Sequence, residues 1–417
     1  MIQWREYKFS DFVEINPKVS LKKGLEYSFV EMKDLSEGNK FIKPSQKRNL
    51  MGGSRFENGD TLFARITPCL ENGKICQVNK LENGIGFGST EFLVFRGKED
   101  ISDSNFVYYL SLSNEVRSFA EQNMVGTSGR QRVSWQVFDN LFLTLPPLPT
   151  QTAIAEILSS LDDKIELNNK INQELETLAQ TLFKQWFIDF EFPNENGEPY
   201  KSSGGEMVYS ELGEIPKGWS FGTLSEILDV KGGTTPSTKE TKYWNGSINW
   251  TSPRDLSNLK SPLLIDTEKK ITELGLSKIS SGLLPKGTLL LSSRAPIGYL
   301  AITNIETAIN QGYIAINGKG GYSNIYILHW LKSNMDLVVE RANGSTFLEI
   351  SKSNFKQINC ILPALNVLNS FTSQSHILFD QLRNNILENT ELTTLRDTLL
   401  PKLISSELEV SQIKTTS

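Results

Sequence analysis

Few side chains in this 417-residue sequence have the types and spacing that catalysis requires. The two histidines, His329 and His376, lie on apolar helical stretches, where a histidine is more often structural or exposed than a general base. The three cysteines form no C-x-x-C pair, and together with two isolated histidines they lack the spacing of a zinc site. The sequence contains no P-loop, no G-x-G-x-x-G turn before a helix and no Asn/Asp-Pro-Pro-aromatic motif of amino-methyltransferases. We therefore expect a recognition protein without catalytic residues, a metal site or a cofactor of its own.

Two short patterns resemble catalytic features but have simpler interpretations. The glycine-rich segment over 84–88 lacks the spacing of a nucleotide-binding loop, so we interpret it as a turn. Asp162 and Asp163 lie on a long, glutamate-rich helical stretch. We interpret them as part of a solvated helix face rather than as a pair of catalytic carboxylates.

Several polar segments combine basic side chains with amides or aromatic rings, which is a composition that suits DNA. Arginine pairs with guanine and glutamine with adenine in the major groove. The candidate DNA contacts in the first half of the chain are Lys43, Lys47, Arg48, Arg65, Lys74, Arg130, Gln131 and Arg132. Those in the second half are Lys239, Lys242, Tyr243, Asn249, Arg254, Arg294, Gln311, Ser345 and Thr346. Any single lysine or arginine in this set could equally be a solvated surface charge, and the nearby Trp244 and Trp250 could equally be core residues.

The net charge of -5 is unevenly distributed along the chain. Residues 1–145 carry a net charge of +1 and residues 216–362 carry +5, whereas residues 146–192 carry -5, 193–215 carry -4 and 363–417 carry -2. The two neutral-to-basic segments could therefore face a polyanion, while the acidic segments should lie away from phosphates or face a protein partner.

The candidate contacts need a frame, and a long amphipathic stretch from about Thr150 to Phe190 provides one. Apolar residues alternate at spacings of four and three, and no glycine or proline occurs between Gln151 and Phe192, which predicts a long helix with a coiled-coil seam. A second stretch, 217 positions later, repeats this seam together with its two asparagines. The predicted helix-pairing residues are Leu158, Leu161, Ile165, Asn168, Asn172, Leu175, Leu378, Leu382, Asn385, Asn389 and Leu392.

The shared polar interruptions indicate two helices that pair with each other, although two unrelated amphipathic helices could share the period alone. The globular segments that precede the helices also repeat, with Gly59 and Pro68 matched by Gly287 and Pro296 and with Arg65 and Arg294 shortly before each proline. The offset between the copies changes among their loops but stays at 217 in the helices. Loops that vary on a fixed frame are where binding specificity usually lies.

We predict an α+β fold with two tandem α/β domains, two long antiparallel coiled-coil helices and an internal pseudo-two-fold repeat. The predicted parts are a first globular domain over 1–145, a long helix over 146–192, a linker over 193–215, a second globular domain over 216–362, a second long helix over 363–405 and a tail over 406–417. Scattered cysteines, a charged and aromatic N-terminal segment and the lack of a long apolar run predict a soluble, cytoplasmic protein.

This organisation resembles the DNA-specificity (S) subunit of type I restriction-modification systems, over essentially the whole chain. The segments that carry the resemblance are LPPLPTQ over 145–151, LGEIPKGW over 212–219, RITPCLENGK over 65–74 and GSTEF over 88–92. The second copy departs from the pattern, because its segment LPALN over 362–366 lacks the glutamine and Pro401 lies late in the second helix.

The resemblance implies a mechanism in which this chain selects the DNA sequence for other subunits. Each globular domain would be a target recognition domain for one half of a split double-stranded site, and the paired helices would set the unread gap. Two methylation (M) subunits would dock on this frame and methylate adenine N6 with S-adenosylmethionine. Motor-nuclease (R) subunits, which use ATP and Mg²⁺, would complete the restriction complex.

Two other functions compete with this interpretation. A self-sufficient enzyme, such as a fused methyltransferase, would bind the methyl donor without partners. A protein-protein scaffold without a DNA role would show no salt-dependent DNA binding, even in a complex. The neutral-to-basic charge of the two globular copies favours DNA recognition over a scaffold.

Overall fold

The computed structural model describes residues 4–42, 44, 46–127, 129–257, 259–294, 296–344 and 348–413. The chain divides into two compact units, each of which we describe by itself. Unit 1 consists of Met1–Asn169 and Ile386–Ser417, and unit 2 consists of Lys170–Asn385. The division falls within both long helices, so that each unit contains one globular domain and one half of each helix.

Unit 1 has eleven strands among its described residues. They are β1 (Arg5–Lys8), β2 (Val13–Ile15), β3 (Glu26–Val30), β4 (Phe41–Ile42), β5 (Gln46–Asn49), β6 (Ser54–Glu57), β7 (Thr61–Ala64), β8 (Ile75–Val78), β9 (Ile85–Gly88), β10 (Phe92–Gly97) and β11 (Phe142–Leu145). Its helices are α1 (Phe9–Phe12), α2 (Ser104–Leu112), α3 (Asn114–Gln122) and the first part of the long helix α4 (Leu148–Phe187).

Unit 2 continues with the strands β12 (Met207–Ser210), β13 (Gly213–Pro216), β14 (Ser220–Thr223), β15 (Leu228–Gly232), β16 (Trp244–Thr251), β17 (Leu263–Leu264), β18 (Lys269–Ile271), β19 (Leu289–Ser292), β20 (Leu300–Thr303), β21 (Ala308–Ile309), β22 (Tyr313–Gly318) and β23 (Asn359–Leu362). Its helices are α5 (Leu224–Ile227), α6 (Pro253–Ser257), α7 (Glu273–Leu276), α8 (Asn324–Ser333), α9 (Met335–Glu340), α10 (Lys352–Lys356) and the first part of α11 (Leu365–Ile404). The second part of α4 also belongs to unit 2, and the second part of α11 belongs to unit 1.

Both units contain a five-stranded sheet with the same topology. The strand order is β2-β10-β7-β8-β4 in unit 1 and β15-β22-β19-β20-β17 in unit 2. In each sheet the last pair is parallel and the other pairs are antiparallel. A second sheet differs between the units, because unit 1 has the order β5-β3-β9-β6 and unit 2 has β18-β16-β21. The internal repeat is therefore confirmed as a shared core with variable additions.

Short apolar runs over 61–66 and 92–95 of the sequence predict strands, which are confirmed as β7 and β10. Two other local predictions are wrong. Helical spacing over 106–122 predicts a single helix, but the segment forms two helices, because Ser113 has extended backbone angles and its side chain accepts the N–H of Val116 to start α3. The segment expected to be a turn is β9, in which a Cβ at Gly86 or Gly88 would lie 2.8 or 2.5 Å from a carbonyl oxygen of β3. These glycines permit close strand packing and do not form a turn.

The two long helices contain 40 residues each, a length of about 60 Å. Pro401 lies in the last turn of α11 and does not break it. The helices pack together and run antiparallel in each unit. In unit 1 the Asn168 side-chain amide donates to Asn389 at 2.9 Å, and in unit 2 the Asn385 amide donates to Asn172 at 2.9 Å. The repeated asparagines of the sequence therefore satisfy one another across the seam.

In unit 1 a buried charged cluster joins the globular domain to both helices. Asp162 of α4 and Arg396 of α11 are 4% and 3% exposed, and Arg396 Nη1 lies 2.6 Å from Asp162 Oδ1. Arg396 also donates to the Gly38 carbonyl at 2.9 Å, and the Tyr109 hydroxyl donates to Asp162 at 2.5 Å. Our interpretation of Asp162 as a solvated residue is therefore wrong, because its partner lies 234 positions away in the sequence.

Lys40 extends the same cluster from the loop before β4. Its ammonium group donates to Ser159 Oγ at 2.7 Å and lies 5.0 Å from the centre of the Tyr109 ring. Burial lowers the pKa of Lys40, although nearby carboxylates, first among them that of Asp162, act in the opposite direction. Desolvation also raises the pKa of Tyr109, and the adjacent Asp162 carboxylate raises it further.

Unit 2 has apolar side chains at the equivalent helix positions. The offset of 217 matches Asp162 with Phe379 and Arg396 with Ala179. His329 occupies the position in α8 that Tyr109 occupies in α2, since each is five residues after the first residue of its helix. Its Nδ1 lies 2.8 Å from Gln180 Oε1, and burial lowers the pKa of the imidazole to about 3. Unit 1 therefore has a buried ion pair at these helix positions, and unit 2 has apolar side chains there.

We predict that Arg396→Ala destabilises unit 1 by about 3–5 kcal/mol, because it leaves the buried Asp162 carboxylate without its cation. The double variant Asp162→Phe/Arg396→Ala reproduces the apolar pair of unit 2 and should lose less stability than the single variant. Urea unfolding followed by circular dichroism measures both. The control is Arg383→Ala, which removes a half-exposed arginine of the same helix and should cost at most about 0.5 kcal/mol. Equal losses for Arg396→Ala and Arg383→Ala would contradict the prediction.

We predict that His329 makes the stability of the protein fall with acidification below about pH 6.5. The pKa of His329 is about 3 in the folded state against an ordinary value of 6.5, so the unfolded state binds more protons between these pH values. The contribution of His329 is complete above pH 6.5 and is lost as the pH falls, at about 1.4 kcal/mol per pH unit. His329→Phe should reduce this dependence between pH 6.5 and 4.5, measured by urea unfolding at each pH.

The exposed His376 provides the control for that experiment. His376→Gln should keep the pH dependence of the unchanged protein. An identical pH dependence in His329→Phe would show that His329 is not the responsible group.

Candidate nucleic-acid interface

Loops from distant parts of each sequence half meet just beyond the end of the central strand of the five-stranded sheet, which is β7 in unit 1 and β19 in unit 2. In unit 1 these loops form a short ladder, in which Arg132 bridges both Ile66 and Val125. In unit 2 the corresponding ladder joins Glu349 with Arg294 and Asn343. Each ladder fixes the backbone of loops that carry predicted DNA contacts.

Backbone hydrogen bonds show which residues of the two copies correspond at this end of the sheet. Arg65 N donates to Glu91 O at 3.0 Å, and the matching bond in unit 2 runs from Ser293 N to Gly312 O at 2.8 Å. Arg65 therefore corresponds to Ser293, and Arg294 corresponds to Ile66. Arg65 and Arg294, each of which precedes a proline in the sequence, therefore differ by one position when the two folded copies are aligned.

Arg132 is held by a carboxylate. Its Nε lies 3.0 and 2.9 Å from the two oxygens of Glu91, and its Nη2 lies 2.8 Å from Oε1. These hydrogen bonds raise the pKa of Arg132 above its ordinary value. In unit 2 Arg294 Nε lies 3.0 Å from Glu349 Oε1. At its ladder, each unit thus presents a partly exposed arginine that is paired with a glutamate.

The second sheet of unit 1 carries further basic side chains. Lys47 of β5 pairs with Glu82 at 2.7 Å, and this hydrogen-bonded contact raises the pKa of the lysine. The Arg48 guanidinium lies 4.1 Å from the centre of the Phe29 ring and pairs with Glu31. The pKa of Glu31 is lowered, first through its hydrogen bond with Lys33 and also by the charge of Arg48. An open depression of about 510 Å³ lies beside these groups.

Arg130 and Gln131 lie on the loop that leads into the unit 1 ladder. Arg130 is exposed, and Gln131 is partly buried with its backbone N–H bonded to Thr67 Oγ1 at 2.8 Å. The loop has positive φ angles at Gly126 and Gly129, which only glycine adopts without strain. This loop is therefore shaped by its glycines.

In unit 2 the predicted contacts on 239–254 are spread over exposed segments. Lys239 is exposed, Lys242 pairs with Glu240 at 3.1 Å and lies 5.4 Å from the Tyr243 ring, and Arg254 lies 3.7 Å from Glu268. The contact with Glu240 raises the pKa of Lys242. These groups remain accessible to a polyanion, since their carboxylate partners are also at the surface.

Of the neighbouring tryptophans, Trp250 belongs to the core. It is 5% exposed, and its ring meets that of Trp244 edge-to-face with 5.0 Å between the centroids. Trp250 lies in an apolar cluster with Ile271, against which the partly buried Trp244 packs.

Four predicted contacts are engaged in internal bonds or are largely covered. Lys74 Nζ donates to the Met32 carbonyl at 2.9 Å, and the Asn249 amide donates to the Glu306 carbonyl at 2.9 Å. Gln311 accepts a hydrogen bond from Thr235 at 2.6 Å. The Nε atom of Arg65 is buried and has no hydrogen-bond partner among the described residues. Lys43, Ser345 and Thr346 lie outside the described residues.

Sequence reasoning missed the glutamates that orient the arginines. Glu91 was part of the GSTEF segment, but nothing in the sequence indicates that it contacts Arg132, which is 41 positions away. Glu349 lies 55 positions after Arg294, and Glu31 lies 17 positions before Arg48. A search of the sequence for cationic DNA contacts passes over these glutamates, because an isolated carboxylate repels phosphate.

No group of three or more His, Cys, Asp or Glu side chains in the described ranges is arranged to hold a metal ion. Burial raises the pKa of the Cys360 thiol to about 12, which makes it a poor nucleophile. Over these same residues, each helix is too short or too polar to span a lipid bilayer.

A family model described as "Type I restriction modification DNA specificity domain" matches residues 1–177 and 216–396. The chain is 26% identical to the "Type I restriction enzyme HindI specificity subunit" of Haemophilus influenzae, over 98% of this chain and 100% of that protein. It is 37% identical to the MjaIX specificity subunit of Methanocaldococcus jannaschii over 38% of this chain and 37% of that protein.

The fold is similar to that of the crystal structure of the type I restriction-modification S subunit from M. genitalium. The TM-score is 0.52 at 17% sequence identity, and the match covers 97% of this chain and 96% of that one. At this level of identity the likeness concerns the fold alone.

Proposed function

The chain belongs to the family of type I restriction-modification DNA specificity subunits, and from this premise we propose how its residues perform the selection of DNA. Each globular domain reads one half of a bipartite double-stranded site. The chain transfers no methyl group and cuts no DNA itself. The observation that carries this proposal is the repeated loop ladder, which presents a carboxylate-oriented arginine on a shared core in both units.

The distribution of charge supports DNA recognition by the globular domains. Residues 1–145 and 216–362 have net charges of +1 and +5, and the long helices and the linker contain the excess of acidic residues. Exposed cations such as Arg130 and Lys239 can contact phosphates, while the acidic segments do not attract them.

We propose that the long helices set the distance between the two half-sites. About 34 Å separates half-sites that are one DNA turn apart, and a 40-residue helix has a length of about 60 Å. The asparagine contacts fix the register in each unit, so that the helices have one defined alignment.

The helices are also the proposed docking surface for two methylation subunits. Leu178 of α4 and Leu395 of α11 are exposed and occupy equivalent positions in the repeat. Two equivalent sites suit two copies of one partner. These subunits would bind S-adenosylmethionine and methylate adenine N6, and motor-nuclease subunits with ATP and Mg²⁺ would complete the restriction complex in the cytoplasm.

We predict that exchange of residues 1–145 for those of another specificity subunit changes only one half of the methylated sequence. The reciprocal exchange of residues 216–362 is the matched control and should change only the other half. Methylation mapping of genomic DNA, in cells that produce each variant with its methylation subunits, shows the sequence directly. A change of both halves by either exchange would contradict the assignment of one domain to one half-site.

We also predict that seven residues added to both helices, after Asn169 and after Asn385, lengthen the unread gap without changing either half. Seven helical residues add about 10.5 Å, which corresponds to about three base pairs at 3.4 Å each. Seven residues also preserve the spacing of the seam. The same methylation mapping measures the gap.

An insertion in α4 alone is the control, because it prevents the two pairs of seam asparagines from forming together and should abolish methylation. An unchanged gap after both insertions would show that the helices do not set the distance.

A further inference from the structure

Arg132 is positioned through both its backbone and its side chain. Its backbone N–H donates to Val125 O at 2.9 Å and its carbonyl accepts from Val125 N at 3.0 Å, while Ile66 pairs on its other side. The backbone is thus held from two sides before any ligand binds. Glu349 has the same central position in the unit 2 ladder, where its neighbours are Arg294 and Asn343.

The carboxylate uses one edge of the Arg132 guanidinium group. Glu91 accepts from Nε and Nη2, so the edge formed by Nη1 and the second hydrogen of Nη2 remains. Within the described parts of the chain, Nη1 of Arg132 has no hydrogen-bond partner. The side chain is 44% exposed, and this remaining edge can therefore reach a ligand.

Unit 2 also has an ion pair at its ladder, but the two members come from other positions of the repeat. The cation comes from the strand-end segment that corresponds to Ile66, and the carboxylate comes from the ladder position that corresponds to Arg132. Arg294 and Glu349 form an ion pair with 3.0 Å between Nε and Oε1, and the arginine side chain is 48% exposed. Two unrelated local sequences thus each place an arginine beside a carboxylate at the same end of the shared sheet.

Two parallel N–H groups on a planar, fixed edge match the O6 and N7 acceptors of guanine in the major groove. A phosphate contact needs no such orientation, since a flexible lysine or arginine can follow the DNA backbone. Holding the side chain in advance also reduces the entropy that is lost on binding. The glutamate would repel a phosphate at the same place, which further favours a base edge.

We propose that Arg132 and Arg294 each read one guanine, in the half-site of their own domain, and that Glu91 and Glu349 are positioning residues for them. This inference rests on the proposed DNA recognition. It assigns a base type and a specific pair of side chains to each half of the bipartite site.

The test uses the chain in complex with its methylation subunits. Methylation mapping first gives the sequence that the unchanged complex selects, and binding is then measured by competition with duplexes in which each guanine of that sequence is replaced in turn. Arg132→Lys keeps the positive charge but removes the planar edge with its two parallel N–H groups. It should reduce discrimination at one guanine in one half by roughly 5- to 150-fold, the range for one bidentate pair.

Arg294→Lys is the matched variant and should have the same effect in the other half alone. Arg132→Gln should shift the preference at the affected position from guanine towards adenine, which glutamine pairs with. Arg130→Ala tests a phosphate contact on the same loop. It should weaken binding to all duplexes equally and lower the salt slope by about 1, while the selected sequence stays unchanged.

Glu91→Gln should reduce guanine discrimination at the position that Arg132→Lys affects, and it should have no further effect in the Arg132→Lys background. A purely structural role for Glu91 would weaken binding to every sequence and would leave the base preference intact.

The inference is overturned if the selected sequence contains no guanine in either half, or if Arg132→Lys and Arg294→Lys leave all base preferences unchanged. Failure of the underlying function looks different. In that case the unchanged complex would show neither a bipartite methylated sequence nor salt-dependent DNA binding.

Discussion

Amide side chains in the seam between the long helices impose the constraint on which the rest of the structure depends. Asn168 bonds with Asn389 in unit 1, and Asn172 bonds with Asn385 in unit 2. A buried amide without a partner costs free energy, and a shift by one heptad would place most of these amides opposite apolar residues. The alignment of the helices is therefore set by satisfied hydrogen bonds, whereas apolar contacts alone would permit several registers.

The two units share one architecture but stabilise it with different side chains. The sheet order is shared, and so is the packing of each globular domain on paired helices. Unit 1 makes this contact through Asp162, Arg396 and the loop around Lys40, but unit 2 makes it through Phe379, Ala179 and His329. The frame tolerates this exchange because a buried ion pair and a well-packed apolar pair can have similar net stability. The loop ladders vary in a similar way, since the arginine and its glutamate come from different loop segments in the two copies.

The long helices, the repeat and the recognition function could be predicted because their signals are local or periodic. A seam repeats every three or four residues, and its asparagine interruptions recur 217 positions later. The segments that resemble specificity subunits are likewise continuous in sequence. In contrast, the Gly86 and Gly88 segment was assigned to a turn because glycine is common in turns. Its actual role, close packing in a sheet, depends on strand β3, more than 50 positions earlier.

The candidate interface divides in the same way. Composition identified the cationic loops, and several members of that set, such as Arg130 and Lys239, are exposed as a DNA contact requires. Others are internal: Lys74 bonds with a carbonyl, and Trp250 lies in the core. By itself the sequence determined the duplicated architecture and the class of ligand, because periodicity, repetition and net charge act along the chain. Only the tertiary structure decided which arginines are oriented, since Glu91 and Glu349 reach Arg132 and Arg294 through folding that joins residues far apart in the chain.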